Sequence, residues 1–152
     1  MTATSSSNND HKPNTVRSVL GFDFGTTRIG VAIGQTITGT AQPLAPLKAK
    51  EGIPNWDEIA RVVEEWQPDA FVVGLPLDMD GAENDMCQRA RKFAKRLHGR
   101  FNRPYYMVDE RLSSYAAKGQ VIARGGNRNF KENSVDGLAA QMILETWFAE
   151  AI

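Results

Sequence analysis

From Arg17 onward the apolar residues fall into short blocks whose period changes along the chain. Residues 17–25 and 28–36 (RIGVAIGQT) each read as a strand, joined by a tight turn at Gly25-Thr26-Thr27. Residues 40–48 (TAQPLAPLK) predict a third strand, which Pro43 and Pro46 confine to an irregular or edge position because proline donates nothing to a ladder. The chain therefore starts as an antiparallel meander.

Beyond residue 50 the period lengthens. Asn55 or Asp57 caps a helix whose apolar Ile59, Val62, Val63 and Trp66 recur at helical spacing, and Pro68 marks its end. The run AFVVGL at 70–75 is short, wholly apolar and closed by Pro76, the pattern of a central parallel strand covered on both faces. Residues 82–100 predict the next helix, with Ala90, Phe93, Ala94 and Leu97 on one stripe and Gly99 near its end. Tyr105-Tyr106-Met107-Val108 is a further strand leading into Asp109-Glu110-Arg111. Two more helices follow, at about 113–124, stopped by Gly125-Gly126, and at about 134–149. Three antiparallel strands followed by alternating helices and parallel strands describe an α/β, ribonuclease H-like fold, here with a mixed five-stranded sheet flanked by helices.

Composition bounds the chemistry. The 152 residues support one ordinary core, with residues 17–152 as a single domain. Residues 1–16, rich in Ser and Asn and lacking the apolar centre of a signal peptide, predict a disordered tail. The lone Cys87 excludes an internal disulfide and a multi-cysteine zinc site, and the two histidines, His11 and His98, argue against a His-rich metal centre. A soluble protein in a reducing cytoplasm is expected, without membrane attachment, since no apolar run approaches the ~20 residues that span a bilayer.

Net charge is zero, yet the charges are sorted. Residues 51–85 carry ten acids against one base, whereas residues 86–131 carry twelve bases against Asp109 and Glu110. Arg89, Lys92, Arg96 and Arg100 fall at three- or four-residue spacing and share one helix face. Like charges so placed repel, and a polyanion such as nucleic acid would relieve the repulsion; a solvated helix face is the plainer alternative.

The acids Asp23, Asp78, Asp109, Glu110 and Asp136 stand where strands end or helices begin, the places where open α/β sheets gather their sites. Asp23 is a carboxylate inside an apolar strand, a costly placement unless it is paired or metal-bound; the alternative is a turn aspartate bonded to the backbone of Gly25 or Thr26. Asp136 could equally complement a helix dipole behind a Ser134 cap. Adjacent Asp109 and Glu110 point to opposite faces, so only one joins a shared site, and either could pair with Arg111. Asp78, beside Asp80 and Gly81, reads as a plain surface turn. Neither a dinucleotide-binding pattern nor a GxxxxGK[ST] loop is present, and no Ser-His-Asp arrangement is suggested.

Five segments in order, GFDFGTTRIGVAIGQTITGTAQPL, VVGLPLDMDG, ARKFAKRLHGRF, VDERLSS and SVDGLAA, resemble the YqgF-type Holliday junction resolvases, also described as pre-16S ribosomal RNA nucleases. The likeness runs from Ser18 to Phe148 and departs at Asp78, usually Asn in the family, at Ser114, usually Thr, and in the approach to the last aspartate, often Lys/Gly-rich in the family and here Lys131-Glu132-Asn133-Ser134. It implies a ribonuclease H-like, Mg²⁺- or Mn²⁺-dependent nuclease acting at the 5′ end of precursor 16S ribosomal RNA, with the family's acids falling on Asp23, Glu110 (Asp109 beside it) and Asp136.

On that reading Asp23, Glu110 and Asp136 hold a two-metal site for phosphodiester hydrolysis. Gly25, Thr26 and Thr27 position the phosphate, and Arg89, Lys92, Arg96 and Arg111 bind the backbone. The substrate would be precursor rRNA or branched DNA, and cutting a symmetric junction would call for a homodimer. Two rivals stand beside it. One is a non-catalytic RNA-binding ribosome assembly factor; the other is nucleotide binding, since DFGTT is similar to the phosphate turn of the actin, Hsp70 and sugar-kinase superfamily.

Overall fold

A computed structural model describes residues 16–111 and 135–150, with the side chains of Val135 and Asp136 excepted. The expected N-terminal tail, apart from Val16, and the helix expected at 113–124 lie outside the described residues. Strand β1 (Ser18–Asp23) pairs antiparallel with β2 (Arg28–Gln35), Phe22 opposite Val31 and Asp23 opposite Gly30. On its other side β1 runs parallel to β6 (Ala70–Leu75), which runs parallel to β7 (Tyr105–Asp109). The mixed sheet of antiparallel then parallel strands is the one expected.

Among the described residues seven strands stand where five were expected. The 40–48 segment breaks at its two prolines into β3 (Thr40–Pro43) and β4 (Leu47–Lys50), both lying along the outer edge of β2. Strand β4 then folds back on a two-residue β5 (Ile53–Pro54). Glu51 (φ 52°) and Gly52 (φ 82°) both take left-handed backbone there, as a two-residue hairpin turn of the primed kind requires. The sheet order is β5-β4-β2-β1-β6-β7, with β3 beside β2.

Helix α1 (Trp56–Trp66) begins at Asn55, whose side chain accepts from the amides of Asp57 and Glu58, and ends at left-handed Gln67. Helix α2 (Asp85–Phe101) starts three residues later than expected because Asn84 is its cap, accepting from the Cys87 amide at 3.0 Å. Helix α3 (Val135–Glu150) closes the described chain. Among the described residues no helix is long and apolar enough to cross a membrane.

Alternation along the strands divides the core into two layers. Phe22, Val31, Phe71 and Val73 face α1 and α2, where Phe22 meets Phe93 edge-on at 5.4 Å. Burying a side chain such as Phe22 contributes about 1.5–3 kcal/mol. Val19, Ala32, Val72 and Val108 face α3, which packs through Ile143, Leu144 and Trp147. Gly21 permits the close approach of that helix: a Cβ there would stand 2.6 Å from Leu144 Cγ.

Candidate active site

Two carboxylates, Asp23 and Glu110, stand on one face of the sheet at the C-terminal ends of the parallel strands. Asp23 ends β1, and by the period-two rule it shares the α3 face with Val19 and Gly21. Glu110 follows β7, where its amide extends the ladder by donating to the Leu75 carbonyl at 3.0 Å. It shares that same face with Val108. Glu110 is 7% exposed, the one buried charged side chain among the described residues. Its Cγ and Cδ lie 2.7 and 2.9 Å from where a Cβ on Gly74 would sit, beside Ile143 Cδ1. Gly74 belongs to β6, one step past the Phe22–Val73 pair, so it is the floor between Asp23 on one neighbouring strand and Glu110 on the other.

Helix α3 leads Asp136 toward the same end of the sheet. Trp147 packs on Tyr106, which pairs with Val72, whereas Ile143 reaches Gly74, two residues further along β6. The helix thus runs backwards toward the strand ends, and its second residue, Asp136, lies two turns before Ile143, roughly 10 Å along the axis. Among the described residues no three His, Cys, Asp or Glu side chains form a metal-sized cluster; the side chain of Asp136 is outside that set.

Asp109 turns away from this face and is occupied by Arg111. The guanidinium donates from Nε and Nη2 to the Asp109 carboxylate, at 2.7 Å for Nη2, while the Arg111 amide donates to Oδ1. These bonds hold the Asp109 carboxyl below the usual carboxylate range. Nη1 of Arg111 also donates to the Met79 carbonyl, pinning the loop after β6. Asp78 closes that loop as a turn residue, its amide donating to the Ala82 carbonyl and its carboxylate accepting from Asn84.

The basic stripe of α2 lies over the other face of the sheet. Arg89, Lys92 and Arg96 line a cleft of about 440 Å³ together with Phe24, Ile53 and Trp56. None of the three cations is ion-paired with a described residue, whereas Arg91, off the stripe, is bound to Glu83 at 2.6 Å. Arg100 continues the stripe with its Cζ 4.3 Å above the Trp56 ring. The 25–27 turn joins the two faces: the Gly52 and Ala49 amides donate to the Thr26 and Thr27 carbonyls, both at 2.9 Å.

Sequence reasoning missed Gly74 and the apolar wall of the cleft. A glycine in an otherwise fully apolar strand signals close approach by a neighbour, and Gly74 carried that signal. The cleft wall joins residues near 24, 53 and 56, which no local pattern connects.

Residues 17–150 match the family described as RuvX, Holliday junction resolvase. A relative from Marinobacter nauticus, named "Putative pre-16S rRNA nuclease", is 60% identical over 134 residues, covering 88% of this chain and 94% of the relative. One of the same name from Aeromonas hydrophila is 57% identical, covering 88% and 96%. Among solved structures, the yeast mitochondrial Holliday junction resolvase Ydc2 is similar in fold, with a TM-score of 0.53 at 10% identity over 92% of this chain and 81% of that one. The resemblance read from the five motifs is borne out.

Proposed function

The chain belongs to the RuvX family of Holliday junction resolvases, and from that premise we propose that it is an endonuclease hydrolysing nucleic-acid phosphodiesters, acting in the cytoplasm on the 5′ end of precursor 16S ribosomal RNA. The observation that carries the chemistry is the buried Glu110 seated on Gly74, the β6 position that the strand register sets next to Asp23. Two hard-oxygen donors at neighbouring strand ends, with Asp136 brought toward them by α3, suit Mg²⁺ or Mn²⁺. When bound, such ions supply Lewis-acid activation of water and neutralise charge at the phosphate.

The chain's own groups do the rest. Asp23, Glu110 and Asp136 would hold the ions, with Gly74 fixing where Glu110 stands. Gly25, Thr26 and Thr27, adjoining Asp23, orient the scissile phosphate through backbone amide and hydroxyls. Arg89, Lys92 and Arg96 hold the backbone of the strand by charge. Arg111, its guanidinium held by Asp109, contributes by fixing Asp109 and the Met79 loop against the substrate.

The test is incubation of purified protein with a precursor-rRNA fragment and, in parallel, a four-way DNA junction, each with Mg²⁺ or Mn²⁺. The expected result is site-specific cleavage of the RNA by the wild type and none by Asp23→Asn, which still binds. Selective cutting of the junction would move the substrate to branched DNA, where two copies would have to act together.

A further inference from the structure

The carboxylates and the cations occupy opposite faces of the sheet. Asp23 lies on the α3 face, and Phe24, the next residue, is part of the core under α1 and α2 and of the cleft wall. A strand engaging both must turn around the end of β1, over the 25–27 turn. Double-stranded nucleic acid is stiff on this scale, with a persistence length of about 150 base pairs, whereas a single strand bends freely.

The lining of the cleft is mixed. Arg89, Lys92 and Arg96 would satisfy phosphates, whereas Phe24, Ile53 and Trp56 offer nothing to a phosphate and Glu51, also in the lining, repels one. Ile53 is 65% exposed in β5, just past the Glu51-Gly52 turn, and the partly buried Trp56 stacks on Phe93 at 5.7 Å with Arg100 Cζ 4.3 Å over its ring, leaving its outer edge to the cleft. Apolar surface beside cations matches a nucleotide whose base is out of its stack; a paired base, stacked inside a duplex, has no face to give. The cleft's volume lies in the range of sites for small organic groups.

We propose that this cleft seats one unpaired nucleotide of the substrate strand, its base against Ile53 and Trp56 and its flanking phosphates on Arg89, Lys92 and Arg96, so that the enzyme selects single-stranded over paired substrate. The inference rests on the nuclease reading above and specifies the substrate class of that site.

Fluorescence anisotropy of the full chain without divalent metal, using a short single strand, its blunt duplex and a fully paired four-way junction, tests it. The single strand binds about tenfold more tightly than either paired form, as one base stacked on a protein surface would give. Ile53→Ser, at an exposed position and so without consequence for folding, erases that preference while leaving duplex binding unchanged. Equal or tighter binding of the duplex or junction, or an equal effect of Ile53→Ser on all three, overturns the proposal. Cleavage of the same single strand with Mn²⁺ is the separate readout of the nuclease reading. Cleavage without single-strand preference overturns the cleft alone, and preference without cleavage supports the cleft while overturning the nuclease.

Discussion

Glu110 fills the space that a side chain on Gly74 would need, its Cγ standing 2.7 Å from the position of a Cβ there. The relationship ties a strand-end glycine to the placement of a carboxylate on the neighbouring strand. It also explains how a charged group is buried without distorting β6: the backbone of Gly74 leaves the room.

Gly74→Ala therefore displaces Glu110. The added methyl meets Glu110 Cγ and, at 2.5 Å, Ile143 Cδ1, so the side chains of both Glu110 and Ile143 have to shift. Overpacking of this kind costs about 1–3 kcal/mol. A lower urea midpoint together with reduced cleavage is the expected outcome; unchanged cleavage would show that the position of Glu110 is immaterial.

The Asp109–Arg111 pair gives stability a defined pH dependence. Because Arg111 lowers the Asp109 pKa in the folded state, the pair contributes fully above the ordinary carboxylate pKa of about 3.9 and its contribution is lost as pH falls through the lowered folded value. Urea midpoints of the wild type and Asp109→Asn should differ at pH 7 and draw together as pH falls from about 4 through the lowered folded pKa of Asp109. A gap that persists at the acid end would assign it to something other than this ionisation.

Neutralising the α2 stripe one cation at a time reports on phosphate contacts. For single-stranded substrate the slope of log affinity against log salt falls by about 0.7 for each of Arg89, Lys92 and Arg96 that touches a phosphate. Anisotropy titrations at several salt concentrations read it. Arg91→Ala, which removes a cation already bound to Glu83, leaves the slope as it was.

The sites legible in the sequence were those carried by local pattern. Asp23 announced itself as a carboxylate within an apolar strand, and the Arg89, Lys92, Arg96 and Arg100 stripe followed from helical spacing. Period-two alternation separated Asp109 from Glu110, but which of them faced the shared site depended on the register of β7 against β6, Gly74 opposite Val108, a long-range pairing no local window contains. Strand β5 was invisible because two residues establish no period. That acids and cations lie on opposite faces of the sheet was equally hidden, since it depends on how α2 and α3 cross over it.

The central claim is that Glu110, not Asp109, works with Asp23 in hydrolysis. Mn²⁺-dependent cleavage of a precursor-rRNA fragment by Glu110→Gln and Asp109→Asn, compared with the wild type, tests it most directly. Glu110→Gln keeps the shape of the buried side chain, so the account predicts a folded protein that binds RNA and does not cut it, while Asp109→Asn retains cleavage. The reverse pattern, with Glu110→Gln active and Asp109→Asn inert, would contradict it.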